Sequence, residues 1–504
     1  MLNLTNFNKY DLVRLSVLIF FSCAWSMLLF HYWSWDYGLH YNSAVNISDN
    51  YLLYKNIFDN KGPFFYFYIY ILSKVIGVGA IQAYFTLTLI VTFFFVVTYL
   101  IAKYKSDKNL FLIVFLLCST LFMQNINIPM RLFHTSIIIV SLFYLLEGFK
   151  DKNTKYIFFS IILLSLSTFT EIDGIIYAPI YIFILFLMYF QKKISVKNFI
   201  ILLFSLLIIP LFIFLALANF FSFSLEEFIF HNITFNSKVS SGSRDPFLEN
   251  FDDPTHIYLI MITGIGVIFI NILSNLYNLK INSFSSLTKE KNNIFSLGLI
   301  IVFLGIFFWL WTGSAKNYHV FIVFAPLIFF ISYFYEYLKI NFIEKIFFYL
   351  LTIFFTIITL YPDSYRSYKN KCWIIENKCG TLNNLSKTII DINKLNKEPF
   401  IIGSNGWLYL TSGIKPTFPI ADHLIYMKER VNGKLIDLPV PNYLLDHYRY
   451  IQEQKTGFIY WIDRDLINRL NTKSNKVSSD RVKDILNKSV FIEDQGTYLK
   501  YRIK

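Results

Sequence analysis

Charged residues are scarce in this chain, because Asp, Glu, Lys and Arg together make up 16% of its 504 residues. A soluble domain of ordinary composition carries about 25%, whereas hydrophobic residues reach 55% here. Apolar runs long enough to cross roughly 30 Å of hydrocarbon recur along the sequence. The composition therefore predicts an integral membrane protein and argues against a soluble globular enzyme.

Cysteine and histidine are also few, with four and eight residues. Cys372 and Cys379 flank WIIENK in a polar region and can form a disulfide if that region lies outside the cytoplasm. No His or Cys pair has the spacing of a metal site, and no P-loop or dinucleotide motif occurs. No cofactor is indicated, although a divalent metal bound by Asp, Glu and His stays open.

Eleven apolar stretches are candidate membrane spans. They cover about 12–33, 81–101, 110–124, 132–148, 156–170, 175–190, 198–220, 256–276, 294–312, 318–335 and 342–361. With the N-terminus in the cytoplasm, the Lys-rich loops all fall on one side, which fits the positive-inside rule and explains a net charge of +13. The first loop and everything after about Tyr361 then lie outside the cytoplasm.

The predicted fold is an all-α polytopic bundle of about eleven transmembrane helices with a small C-terminal α/β extracytoplasmic domain. Residues 1–362 form the transmembrane part, with outer loops at 34–80 and 221–255, and residues 363–504 form the second domain. The segment FFYFYIYILSKVIGVG in the first loop predicts a helix lying at the membrane interface. A helix near Leu382–Leu395, strands at PFIIGS and GFIYWID, and a closing hairpin SVFIEDQGTYLKYRI are expected in the C-terminal domain.

Acids and bases from different loops fall on the predicted outer face of the bundle. Charges at membrane depth are costly and are functional by default, and acids beside bases suit a site that handles a phosphate and a hydroxyl. Each residue also has a purely structural alternative, as a helix end, a turn former or a contact to lipid headgroups. The set comprises Asp36, Asp59, Lys61, Arg131, His134, Glu171, Asp173, Arg244, Lys316, Tyr318 and His319.

The stretch WDYGLHYNSAVNISDNYLLYKNIFDNKGPFF places an aspartate directly after the first span and ends in the pattern Y-x-x-x-F-D-x-K-G-P. It resembles the first outer loop of GT-C class membrane glycosyltransferases, above all protein mannosyltransferases and aminoarabinose transferases. KNYHVFIVFAP and FIIGSNGWLYLTSGIKPTFP resemble later segments of the same class. Tyr37 stands where many members have a second acid, and Gly62-Pro63 replaces a double proline.

The resemblance implies an inverting glycosyltransferase that moves a sugar from a polyprenyl-phosphate donor to an envelope glycan, lipid or protein. Asp36 would be the catalytic base. The donor phosphate would be bound by Arg244 and Lys316, with Arg131 and Lys61 as further candidates. Asp59, Tyr37, Glu171, Asp173, Tyr318 and His319 would support the site or meet the acceptor. No nucleic-acid partner is expected.

We expect an integral protein of a bacterial inner (cell) membrane, with the N-terminus cytoplasmic and the C-terminal domain periplasmic or otherwise extracytoplasmic. Three other functions stay open. A transporter or flippase of a lipid-linked saccharide would show paired repeats or helices broken at the midplane. A glycan polymerase or ligase would carry its key charges in a later large loop, and a binding or scaffold protein would tolerate loss of the charges in the first loop.

Overall fold

The computed structural model describes residues 9–32, 35–47, 52–55, 57, 61–105, 129–234, 297–305, 321–334, 388, 391–392, 400–402, 428–431, 434–437, 448–470, 476–496 and 498–504. These residues are mostly helical and end in a small sheet. The predicted residues Asp59, Arg244, Lys316, Tyr318 and His319 lie outside this part of the chain, and so do Cys372 and Cys379.

Twelve helices with defined bounds follow one another along the described residues. They are α1 (Lys9–Tyr32), α2 (Trp35–Val45), α3 (Pro63–Ile76), α4 (Ala80–Lys105), α5 (Pro129–Asp151), α6 (Thr154–Thr170), α7 (Ala178–Phe190), α8 (Val196–Phe221), α9 (Leu225–Ile229), α10 (Phe321–Phe334), α11 (Arg464–Arg469) and α12 (Lys476–Asn487). A 3₁₀ turn, Ile172–Tyr177, precedes α7, and a π turn, Phe230–Thr234, follows α9.

Four helices in the described part of the chain are long and apolar enough to cross a membrane. They cover Ile81–Tyr104, Met130–Asp151, Ile172–Phe190 and Val196–Phe221, and they match the predicted spans 81–101, 132–148, 175–190 and 198–220. Helices α1, α6 and α10 also occupy predicted spans, but α6 and α10 have only 17 and 14 residues. The spans 110–124, 256–276 and 342–361 lie outside the described residues, so the number eleven is not confirmed.

Helix α5 is far more buried than helix α8. The apolar stretch of Met130–Asp151 is 89% buried, whereas that of Val196–Phe221 is only 17% buried. Helix α5 packs against α6 and α10, and a methyl group on Gly148 would come within 2.6 Å of the Ile157 side chain. Close helix packing therefore fixes α5, while the apolar surface of α8 suits contact with lipid tails.

The C-terminal sheet has four strands in the order β1 (Phe400–Ile402), β4 (Ile459–Asp463), β6 (Tyr498–Ile503) and β5 (Ser489–Asp494). β1 pairs with β4 in parallel, and the other two pairings are antiparallel. A separate hairpin joins β2 (Lys428–Val431) to β3 (Lys434–Asp437). The strands predicted at PFIIGS, at GFIYWID and in the closing hairpin are confirmed.

The chain falls into two compact units. The first comprises 1–29, 87–214 and 245–366, and the second comprises 30–86, 215–244 and 367–504. Within the second unit, Phe230 packs against the C-terminal core that contains Phe400 and Tyr460. The units follow contacts rather than sides of a membrane, so the boundaries 1–362 and 363–504 stay predictions.

Candidate functional site

Asp36 is the second residue of α2, which begins three positions after α1 ends at Tyr32. Acidic residues are favoured in the first turn of a helix, near the positive end of the helix dipole. Position 40 follows one helical turn later on the same face of α2. The sequence therefore sets an acid and His40 on one face of a short helix after the first predicted span.

Tyr37 connects α2 to the beginning of α4. Its side chain is buried, and its hydroxyl donates a hydrogen bond of 2.7 Å to the carbonyl oxygen of Ala83. Burial raises the pKa of Tyr37 well above its ordinary value, and nearby Tyr41 and Tyr68 act in the same direction. Tyr37 therefore stays a neutral donor that holds α2 in place, which is compatible with a supporting role.

His40 connects α2 to α3. The hydroxyl of Tyr66 lies 3.0 Å from Nδ1 of His40, and the rings of Phe65 and Tyr66 meet the imidazole edge to face. All three side chains are buried. A neighbouring pair of aromatic residues on α3 thus fixes the histidine ring.

A clamped turn precedes Lys61. Nε2 of His231 donates to the Tyr54 carbonyl at 3.0 Å, which requires the proton to be on Nε2, and the Tyr54 hydroxyl donates to the Lys61 carbonyl. Tyr54 has φ of 67°, a conformation that is rare for a bulky residue. Two hydrogen bonds therefore hold the segment that carries Lys61 in a strained path.

Arg131, Glu171 and Asp173 form one ion cluster near the start of α5 and the end of α6. Nη1 of Arg131 lies 2.7 Å from Oδ2 of Asp173, and Nη2 pairs with Oε1 of Glu171. Arg131 is 2% exposed and Glu171 5%. The structure thus brings together three of the residues predicted from the sequence.

Gly174 allows the close backbone contact that brings the members of the ion cluster together. A methyl group on Gly174 would lie 2.8 Å from the amide nitrogen of Thr168 and 2.9 Å from its Cα. A Cβ does not fit at such distances, so the 3₁₀ turn packs onto the last turn of α6 only because residue 174 has no side chain. That packing carries Asp173 to Arg131.

His134 lies one helical turn after Arg131 on α5. Its Nδ1 is 3.1 Å from the carbonyl oxygen and 2.9 Å from Oγ of Ser167, and its side chain is buried. These contacts orient the imidazole through α6. His134 therefore joins the same two helices that the ion cluster joins.

The charges of the cluster do not balance. One guanidinium faces two carboxylates, so the three side chains carry a formal charge of −1 when all are ionised. A phosphate that binds Arg131 must compete with Glu171 and Asp173, which makes Arg131 a weaker anion site than an unpaired arginine. Its part in donor binding stays a prediction. Among the described residues, no group of three or more His, Cys, Asp or Glu side chains can hold a metal ion.

Sequence reasoning missed His40, Tyr54, Tyr66 and His231. Asp36 and His40 stand four residues apart, the spacing that puts two side chains on one helix face, so a helical interpretation of WDYGLHYNSAV would have found His40. His231 lies in the predicted outer loop 221–255, from which only Arg244 was selected as a candidate. Nothing in the sequence pairs His231 with Tyr54 at a separation of 177 positions.

The sequence matches no protein-family model and has no significant match among curated proteins.

Proposed function

We propose that this chain is an inverting glycosyltransferase that moves a sugar from a polyprenyl-phosphate donor to an acceptor hydroxyl of the cell envelope. The observation that carries the proposal is the position of Asp36 in the first turn of α2, directly after α1. A helix N-terminus favours the ionised carboxylate, and only that form can accept a proton. Because Asp36 follows the first predicted span, a donor lipid in the bilayer would bring its headgroup to this level.

The chemical step is a single displacement. The acceptor oxygen attacks the anomeric carbon while the bond from that carbon to the phosphate oxygen breaks, and polyprenyl phosphate leaves with the electron pair. Asp36 takes the acceptor proton as general base. The transition state has oxocarbenium character, and attack opposite the leaving group inverts the anomeric centre.

Packing of the first loop supports a site at this position. Tyr37 ties α2 to α4, His40 ties α2 to α3, and the Tyr54 hydroxyl holds the Lys61 carbonyl just before α3 begins. A catalytic group needs such a rigid surrounding, because a misplacement of about 1 Å can cost 10²-fold in rate. Lys61 is half-buried and is a phosphate ligand in this proposal, with Arg244 and Lys316.

The second compact unit also supports the proposal. It gathers 30–86, 215–244 and 367–504, which contain most of both predicted outer loops and most of the C-terminal domain. Phe230 contacts the C-terminal core within it. Their grouping in one unit is compatible with one outer face that holds Asp36, the turn before Lys61 and the C-terminal domain.

Mass spectrometry of envelope glycans tests the function in cells that lack the gene and are complemented with variants. We expect the deletion to remove one sugar from the glycans and the parent chain to restore it. Asp36→Asn, expressed at the same level, should not restore that sugar. Asp151→Asn serves as the matched control, because Asp151 is an exposed acid at the end of α5, and it should restore the sugar fully.

Other outcomes would point to the rival functions. Restoration by Asp36→Asn, with lipid-linked saccharide accumulating in the deletion strain, would favour a transporter or flippase. A change in glycan length or the loss of a whole glycan would favour a polymerase or ligase. An unchanged envelope in the deletion strain would reject all three functions.

A further inference from the structure

One end of the C-terminal sheet is basic. The antiparallel pairings of β4 with β6 and of β6 with β5 put the starts of β4 and β5 and the end of β6 at the same end. Four exposed basic residues belong to this end: Lys455, Lys488, Arg502 and Lys504. Glu453 and Asp484 are the acids there, and Asp484 pairs with Lys488 at 3.2 Å. Asp463, Glu493 and Asp494 lie at the opposite end of the sheet.

The same end exposes three consecutive apolar side chains on β5. Val490, Phe491 and Ile492 are 42%, 51% and 42% exposed. Side chains normally alternate between the two faces of a strand, so exposure of all three needs an explanation. β5 is the last strand in the sheet order, and the register shifts between Phe491 and Glu493.

Register places charge beside this apolar surface. Val490 lies opposite Arg502, and Phe491 lies opposite Tyr501, whose ring centroid is 5.6 Å away. Lys488 directly precedes the strand and is 57% exposed. Because side chains alternate along a strand, Val490 and Arg502 lie on one face of the sheet and Phe491 and Tyr501 on the other. Apolar and cationic side chains therefore flank both sides of the outer strand.

A second strand is a poor occupant for this edge. A β-bulge bends and twists a strand locally, and natural proteins use bulges and lysines to prevent pairing between sheet edges. β5 has both of these protective features, because its register shifts after Phe491 and Lys488 directly precedes it. A lipid surface needs no strand register, and it offers acyl chains to apolar side chains and phosphates to cations.

We propose that the exposed β5 edge, with Lys488, Val490, Phe491, Ile492 and Arg502 along its two sides, docks the C-terminal domain onto anionic phospholipid. The apolar side chains enter the boundary between headgroups and acyl chains, while Lys488 and Arg502 meet headgroup phosphates. Because the chain has candidate membrane-spanning helices of its own, its C-terminal domain stays close to a bilayer. The proposal does not depend on glycosyl transfer.

Spin labelling of the full chain in nanodiscs tests the proposal. The four native cysteines are replaced by serine, and a nitroxide is attached at Phe491→Cys or, in a second variant, at Ile492→Cys. Val477→Cys on α12 is the matched control, since Val477 is a 45% exposed apolar residue in the same domain. Collision with oxygen reports lipid, and collision with a water-soluble nickel chelate reports water.

In discs that contain phosphatidylglycerol, labels at 491 and 492 should collide more with oxygen than with nickel, and the label at 477 should show the reverse. Discs of phosphatidylcholine alone, or the added pair Lys488→Glu and Arg502→Glu, should abolish the difference. Equal nickel access at all three positions, in variants with the parent's melting temperature, would overturn the proposal. Dipolar broadening between labels on two chains would overturn it in favour of a second copy.

Discussion

His231 donates a hydrogen bond of 3.0 Å from Nε2 to the carbonyl oxygen of Tyr54, and the two rings stack with centroids 5.0 Å apart. The bond joins the π turn after α9 to a turn of the first predicted outer loop. Tyr54 adopts a positive φ of 67°, a backbone state that persists only where surrounding contacts enforce it. His231 is therefore a clamp on the segment that leads to Lys61.

Removing the clamp should loosen the first loop. His231→Ala leaves the buried Tyr54 carbonyl without this donor, at a cost of about 1–3 kcal/mol, and we expect faster amide exchange over 52–57. Hydrogen exchange with mass spectrometry of the reconstituted chain measures it. Ile233→Ala, at a 47% exposed position of the same turn, should leave exchange unchanged. Equal amide exchange in the two variants would show that His231 does not restrain this segment.

The ion cluster should respond strongly to loss of its cation. Arg131→Met leaves the buried Glu171 and the half-buried Asp173 without their guanidinium partner, and breaking a buried pair costs about 3–5 kcal/mol. Denaturant unfolding in detergent measures the loss. The triple variant Arg131→Met/Glu171→Gln/Asp173→Asn removes all three charges and should regain part of the stability. If the triple variant is no more stable than the single one, charge imbalance is not the cause.

A second buried acid joins three helices. Glu147 on α5 accepts hydrogen bonds from the hydroxyls of Tyr104 on α4, at 3.1 Å, and of Tyr333 on α10. Glu147→Gln keeps an acceptor, whereas Glu147→Leu takes this acceptor from both hydroxyls. We expect Glu147→Leu to lower the melting temperature more than Glu147→Gln, by about 1–3 kcal/mol in free energy. Equal melting temperatures would show that the carboxylate does not hold these helices together.

The C-terminal sheet should lose stability in alkali. Burial raises the pKa of Tyr460 to about 12, while its hydrogen bond to Ser489 acts in the opposite direction. An unfolded tyrosine titrates near 10, so the unfolded chain releases its proton first and stability falls as pH rises from about 10 to 12. Tyr460→Phe should flatten this part of the unfolding curve of the full chain. An unchanged slope would mean that other groups govern alkaline unfolding.

Hydropathy alone was enough to locate α4, α5, α7 and α8, because each is a long apolar stretch. Alternation of apolar residues located the strands of the C-terminal sheet. Helix α2 was not foreseen and was taken as part of a loop. Its sequence WDYGLHYNSAV contains glycine, asparagine and serine, which are weak helix formers, and packing against α3 stabilises it instead.

Only part of the candidate site could be predicted from the sequence. Arg131, Glu171 and Asp173 could be selected from the sequence because charges near membrane helices are unusual. Their pairing could not, since it depends on the approach of the 3₁₀ turn to α6 at Gly174. His231 was missed because its partner is a backbone carbonyl, and a backbone partner leaves no trace in residue types.

Sugar transfer by the purified Asp36→Asn variant in liposomes, with donor and acceptor supplied, tests the central claim most directly. General-base help is worth about 10²–10⁴ in rate, so Asp36→Asn should lose most turnover while its thermal melt matches the parent, and the parent's product should have the inverted anomeric configuration. Turnover within a few-fold of the parent would contradict Asp36 as the base, and a product that keeps the donor's configuration would contradict the single displacement.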